Sequence, residues 1–166
     1  QENEIVSAVN FNSPGQVVIA GNKAAVERAG ELCKAAGAKR VLPLPVSVPS
    51  HCALMKDAAD KLAIILNELV FNEPSIAIVN NVDVKSETSG KAIKAALVKQ
   101  LYSPVRWTET IEKLSKGGIA QIIEAGPGKV LQGLLKRIDK SITCIAVNDD
   151  ASLAKALDLV SIKEVK

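Results

Sequence analysis

Apolar positions along the chain change period several times, and each change marks an element. Residues 4–9 and 16–20 are strand-like runs. Between them Asn12, Ser13, Pro14 and Gly15 supply the fixed φ and the free positive φ that a turn needs. Two strands joined as a hairpin are the expected outcome. From residue 23 the period becomes helical. Ala25, Ala29, Leu32, Cys33 and Ala36 share one face, while Lys23, Glu27 and Lys34 stay off it. Asn22 stands where an N-cap belongs and Gly37 where a left-handed C′ residue belongs, so the spacing predicts a helix over 23–36. Residues 39–44 read as a strand that Pro43 and Pro45 push toward an edge. Strand, strand, helix, strand is most of a ferredoxin-like split βαβ unit, without its opening strand and helix.

The remainder alternates. Residues 46–50 link to a helix over 52–69, with Ser50 placed to cap it and Leu54, Ala58, Leu62, Ile65 and Leu69 as its apolar stripe. Residues 75–79 read as a short buried strand. Helices follow over 91–101 and 108–116, then a strand over 119–123. Gly126-Pro127-Gly128 opens a helix over 129–138, and a strand over 142–147 precedes a closing helix over 152–160. Strands alternating with helices imply an α/β chain with a parallel sheet covered on its faces.

Composition narrows the class. Of 166 residues, 48% are hydrophobic and 23% charged, the mixture of a folded domain. No apolar run reaches the roughly 18 residues of a membrane span. Aromatic residues are only 2%, too few for a nucleic-acid stacking platform, and a net charge of +3 with interleaved signs gives no basic stripe. Cys33, Cys52 and Cys144 are odd in number and form no C-x-x-C pair, which fits a reducing cytoplasm and neither a zinc site nor a disulfide framework. No secretory signal pattern is present. The opening residue is Gln1 and strand-like sequence follows within a few positions, so Gln1 is expected to lie inside a longer protein.

Few residues offer chemistry. The run Glu124 to Val130 follows a strand and precedes a helix, so a phosphate loop is one reading. A Walker loop needs Ser or Thr where Val130 stands, and a dinucleotide fingerprint needs Gly where Leu131 stands, so a tight packing turn is the plainer one. His51 is the only histidine. It follows Val48-Pro49-Ser50 in a proline-stiffened corner at a helix start between two expected lobes. Clefts between lobes favour ligands, and imidazole exchanges protons near neutrality, so general acid–base work stands beside a purely structural role. Cys52 adjoins it, but adjacent residues at a helix start point in different directions, which favours a small buried thiol over a Cys–His dyad. Asn10 and Asn12 flank Phe11 ahead of the turn, where local backbone bonding is the ordinary role. Tyr102 and Trp107 read as packing residues.

Five motifs, in order and with matching spacing, resemble the bacterial malonyl-CoA:acyl carrier protein transacylases. They are Val9 through Gly21, Leu42 through His51 and on to Met55, Val79-Asn80-Asn81-Val82-Asp83-Val84, Gln100 through Trp107, and Glu124 through Leu131. The resemblance covers nearly the whole chain. Ala125 stands where many relatives have Val. The resemblance implies malonyl transfer from coenzyme A to the phosphopantetheine thiol of acyl carrier protein through a malonyl-serine intermediate. His51 matches the catalytic base and acid. Gln100 matches the residue whose backbone carbonyl orients that histidine. Asn10 and Asn12 match asparagines near the cleft, and Ser50 adjoins the histidine among the substrate contacts.

The departures are as informative. The G-H-S-x-G nucleophile elbow, the Gly-Gln-Gly oxyanion segment and the malonate-binding arginine of the family are absent, and all lie upstream of this stretch in the family. The chain is therefore expected to be the C-terminal part only, inactive by itself and dependent on the N-terminal part of the same protein. The implied organisation is an incomplete ferredoxin-like small subdomain over 1–46 and the C-terminal part of an α/β-hydrolase-like parallel-sheet subdomain over 47–166. A cytoplasmic setting is expected, with no metal, no cofactor, no nucleic acid and no membrane. Two rivals remain. One is a cysteine-nucleophile hydrolase using Cys52. The other is a non-catalytic module docking the acidic carrier protein through Lys34, Lys39, Arg40, Lys136 and Arg137.

Overall fold

A computed structural model describes residues 3–161. Gln1, from which an interior start was inferred, lies outside them, as do residues 162–166 of the second expected domain. The chain divides between Trp107 and Thr108 into two compact units. The boundary expected after Val46 falls within the first of these.

The first unit opens with β1 (Val6–Ser13) and β2 (Gln16–Gly21), paired antiparallel. The turn is tighter than expected. Pro14 and Gly15 alone make it, and Gly15 at φ 76 takes the position that a Pro-Gly turn reserves for glycine. Register shifts at Val9 and Asn12 mark two bulges in β1. They free the Val9 carbonyl and the Phe11 amide, which pair instead with the Val105 amide (2.8 Å) and carbonyl (2.9 Å).

The helix α1 (Lys23–Ala35) ends as the sequence predicts. Gly37 sits at φ 94, its amide donates to Lys34 and that of Ala38 to Cys33, closing a Schellman motif. Its start differs. Asn22 is the N-cap by position, but its side chain accepts from the Ile5 amide (2.8 Å) and so ties the helix start to the entry of β1. The expected apolar face is also shifted. Ala25 and Gly30 are buried, whereas Leu32 is 71% exposed and Cys33 lies outside. Gly30 belongs to this face because Val41 approaches it closely.

A 3₁₀ turn (Ala53–Met55) leads into α2 (Lys56–Asn67), which packs on α3 (Gly90–Gln100). Ser50 caps neither: Cys52 and Met55 occupy the N-cap positions, without side-chain capping bonds. The buried stripe of α2 runs through Ala59 and Leu66, while Ile65 of the expected stripe is 58% exposed. The helix has apolar residues on two faces, and the period alone does not choose which one meets α3.

Two expected strands do not form. Residues 39–44 are irregular and exposed, and of residues 75–79 only Val79 pairs, in an isolated bridge to Ser86. Both runs have strand-forming side chains, yet among the described residues no neighbouring strand supplies the ladder that makes a strand.

The second unit contains most of α4 (Trp107–Lys116), then β3 (Gln121–Ala125), α5 (Val130–Ile138), β4 (Thr143–Val147) and α6 (Asp150–Ser161). The strands β3 and β4 pair parallel through the α5 crossover, the βαβ arrangement that the alternating pattern requires. The chain is thus mixed α/β with small sheets.

Candidate active site

His51 is held by the end of one helix. Its ring Nδ1 lies 2.9 Å from the carbonyl oxygen of Gln100, the last residue of α3. Its backbone amide donates to the next carbonyl, Leu101, also at 2.9 Å. A carbonyl oxygen only accepts, so Nδ1 is the donor, and in the neutral ring Nε2 is the nitrogen that keeps a lone pair. The residue sits at φ 65, left-handed backbone that non-glycine side chains seldom adopt. The two consecutive bonds to α3 hold it there. His51 and Gln100 are both half-buried.

Around this contact the segment 80–86 packs against α3. Asn80 accepts from the amides of Val82 (3.1 Å) and Asp83 (2.8 Å) and donates to the Lys85 carbonyl (2.9 Å). The turn it makes buries Val82 and Val84, the latter at φ 54, an outlier for a β-branched residue. Asp83 pairs with Lys99 at 2.5 Å, next to Gln100. Arg106 donates from its backbone to Asn81 and from its side chain to the Val82 carbonyl.

Asn10 and Asn12 lie on β1 and both are half-buried. Asn10 bridges Val105, and Asn12 sits in the second bulge. The hydrogen bonds that hold His51 do not involve their side chains, and Ser50 contributes a backbone bond to Val48. Cys52 is 2% exposed and its thiol donates to the Pro49 carbonyl at 3.1 Å, so it is not presented as a nucleophile. The Cys144 thiol is pushed above the usual thiol range by burial, and then by the charge of Glu124, which keeps it protonated.

A cavity of about 160 Å³ is lined by Val79, Asn80, Asn81, Leu97 and Gln100. A larger groove of about 930 Å³ runs between α2 and α3 past Leu66, Phe71, Lys94 and Tyr102. His51 lines neither. Lys94 spans that groove by donating to the Leu69 carbonyl and lying over the Phe71 ring. Among the described residues no group of three or more His, Cys, Asp or Glu side chains could hold a metal, and no helix is long and apolar enough to cross a membrane.

The run before α5 is not open to phosphate. Glu124 reaches over Gly126-Pro127-Gly128, and its two carboxylate oxygens accept from the amides of Leu131 (2.9 Å) and Gln132 (2.8 Å). The helix N-terminus already holds its anion. Of the basic residues considered for docking, Lys34 lies in the last turn of α1, Lys39 and Arg40 follow that helix, and Lys136 and Arg137 lie in the last turn of α5.

Sequence reasoning missed Leu101 as the second anchor of His51, Asn80 as the organiser of its loop, and Glu124 as a helix cap. The first and last had a signal. A carbonyl at a helix end needs an outside partner, and an acidic residue ahead of a glycine-rich helix start is a cap candidate.

Known proteins resemble this chain. A family described as an acyl transferase domain matches residues 1–158. The malonyl CoA-acyl carrier protein transacylase of Escherichia coli strain K12 is 63% identical over 158 residues, covering 95% of this chain and 51% of the relative. Its counterpart in Haemophilus influenzae is 66% identical over 152 residues, 92% of this chain and 49% of the relative. A malonyl-transacylase solved in complex with a type II PKS acyl-carrier protein superposes with a TM-score of 0.94 at 64% identity, over 95% of this chain and 51% of that one. The chain spans about half the length of the curated relatives it matches.

Proposed function

The chain belongs to the acyl transferase domain family, and on that premise we propose that it is the histidine-bearing part of an enzyme that moves malonyl from coenzyme A to the phosphopantetheine thiol of acyl carrier protein. The observation that carries the reading is the 2.9 Å contact between His51 Nδ1 and the Gln100 carbonyl. It supports the neutral tautomer in which Nε2 is free to take a proton.

Serine is too weakly acidic to attack a thioester unaided. In the proposed cycle a serine hydroxyl from the part of the relatives outside this chain gives its proton to Nε2 as its oxygen bonds to the malonyl carbonyl. The carbon–sulfur bond breaks, and the coenzyme A thiolate takes the proton back from the imidazolium. The second half reverses the roles. The pantetheine thiol gives its proton to Nε2, its sulfur takes the malonyl group, and the serine oxygen recovers the proton. The Gln100 carbonyl complements the charge that the ring gains while it holds each proton. The exchange is acyl and proton transfer throughout, which needs neither a metal nor a redox group.

Asn10, Asn12 and Ser50 are proposed substrate contacts: β1 is bonded to Val105, four residues past the Leu101 anchor, and Ser50 adjoins His51. Acyl carrier protein as partner rests on the printed names of the relatives and on the solved complex. A cytoplasmic setting accords with free Cys33, Cys52 and Cys144. The proposed organisation is an incomplete ferredoxin-like subdomain over 1–46 and the C-terminal part of an α/β-hydrolase-like sheet subdomain over 47–166. The exposed strand-like side chains Leu42, Leu44, Ile76 and Ile78 support it, since they suit sheets completed by other strands.

The test joins this chain to the N-terminal half of the Escherichia coli K12 relative. The joined protein is expected to transfer malonyl, and His51→Ala to lower the rate by roughly 10²–10⁴-fold, the usual contribution of a general base, with an unchanged circular dichroism spectrum. Near-normal turnover of the folded variant contradicts the assignment. The chain alone, mixed with malonyl-CoA, is expected to gain no malonyl mass.

A further inference from the structure

The carbonyl that holds His51 is free for a covalent reason. In an α-helix the carbonyl of residue 100 is bonded by the amide of residue 104. Residue 104 is proline, which has no N–H. Its ring also turns Ser103 away from helical backbone. The last turn of α3 tightens accordingly, with Leu101 donating to Val98 and Tyr102 to Lys99, both at 3.3 Å and three residues apart. The next carbonyl, Leu101, would look to Val105, but that amide is drawn away to the Val9 carbonyl at 2.8 Å. Two successive carbonyls thus leave the helix without helical donors. His51 takes both, one with its ring Nδ1 and one with its backbone amide, each at 2.9 Å.

We propose that Pro104 is a positioning residue for His51: by withholding a backbone donor from Gln100 it reserves that carbonyl for the imidazole and sets its tautomer. The proposal deepens the reading of His51 as a base and rests on it. An amide restored at residue 104 would compete for the same oxygen, because continuing α3 through residues 101–103 brings that amide onto the Gln100 carbonyl. The ring would then lose its only fixed acceptor at Nδ1, and the proton would redistribute between the two nitrogens.

His51 is the only histidine, so one pair of ring-nitrogen resonances reports it. The experiment is nitrogen-15 NMR of the ring in the full chain at a pH where the imidazole is neutral. Unsubstituted protein is expected to hold the proton on Nδ1. Pro104→Ala is expected to cut the ratio of the Nδ1–H to the Nε2–H tautomer about fivefold, the factor that a hydrogen bond of ordinary net strength commands. A second variant carries L-lactate at residue 104, which has the alanine side chain but an ester oxygen in place of the amide. It is expected to keep the original tautomer. If both variants keep it, or the lactate variant loses it, Pro104 does not act by withholding a donor. Should Pro104→Ala fail to fold, the lactate variant alone decides. If the unsubstituted ring already carries its proton on Nε2, the base reading itself fails, which separates the two outcomes.

Discussion

Glu124 spends both oxygens of one carboxylate on the amides of Leu131 and Gln132, at the start of α5. Two charge-assisted bonds at a helix start, aligned with its dipole, are the strong form of a cap. Glu124→Ala should therefore destabilise the unit after Trp107 by about 1–2 kcal/mol in urea unfolding. Glu124→Gln, which keeps one acceptor, should cost less. Equal midpoints for all three proteins would remove the cap. Side chains of this kind were partly legible beforehand. The residues from Glu124 to Val130 could be read as a phosphate loop or a packing turn, and missing Ser and Gly favoured the turn. What the sequence did not display was that a carboxylate folds back seven and eight residues to fill the amides a phosphate would use. His51 was legible as a candidate because it is unique and sits in a proline-stiffened corner. Its left-handed backbone and its Leu101 anchor depend on where α3 ends in space.

At the scale of elements, aspartates tie the second unit together. Asp139 follows α5 and accepts from the Ser115 hydroxyl of α4 (2.5 Å), the Ser141 hydroxyl (2.6 Å) and the Ser141 amide (2.8 Å). The Ser115 bond first, then those from Ser141, hold its carboxyl below the usual range. Asp149 accepts from the Ser152 amide at 2.7 Å, and the Ser152 hydroxyl accepts from the Asp149 amide in return, a reciprocal cap for α6. The Ser152 bonds lower the Asp149 carboxyl as well. A carboxyl with a depressed folded-state value takes its proton later than in the unfolded chain. Its stabilisation is complete above the unfolded value of about 3.9 and fades as pH falls through the lower folded-state values. Urea midpoints of this unit should therefore drop on acidification below that value, and Asp139→Asn with Asp149→Asn should flatten the fall. An identical acid slope in the double variant would refute the link. Element prediction from sequence succeeded where a local signal sufficed. The Pro14-Gly15 turn, the Gly37 stop of α1 and the α5 crossover each need only nearby residues. It failed for 39–44 and 75–79, because a strand is a property of two segments and, among the described residues, no strand pairs with either run. It also chose the wrong face of α2, where Leu66 and Ile65 are equally apolar and only contact with α3 separates them.

Across the whole molecule, the proposed reading of His51 as a base accounts for the sequence resemblance and the site geometry together. The resemblance that brought Asn10, Asn12, Ser50, His51 and Gln100 into view covers nearly the full chain, and the matched relatives extend to about twice its length. The first unit assembles His51 from three separate stretches. The hairpin draws off the Val105 amide, the 80–86 loop braces α3, and α3 offers two carbonyls to the histidine corner. In the proposed cycle a single proton site serves both halves of the exchange of one thiol for another. The most direct measurement follows the protein joined to the Escherichia coli K12 half through each half separately, by rapid quench and intact mass. The account predicts that His51→Ala slows both malonyl loading from malonyl-CoA and discharge to acyl carrier protein by similar factors of roughly a hundred or more. Loading at an unchanged rate in the folded variant would contradict it.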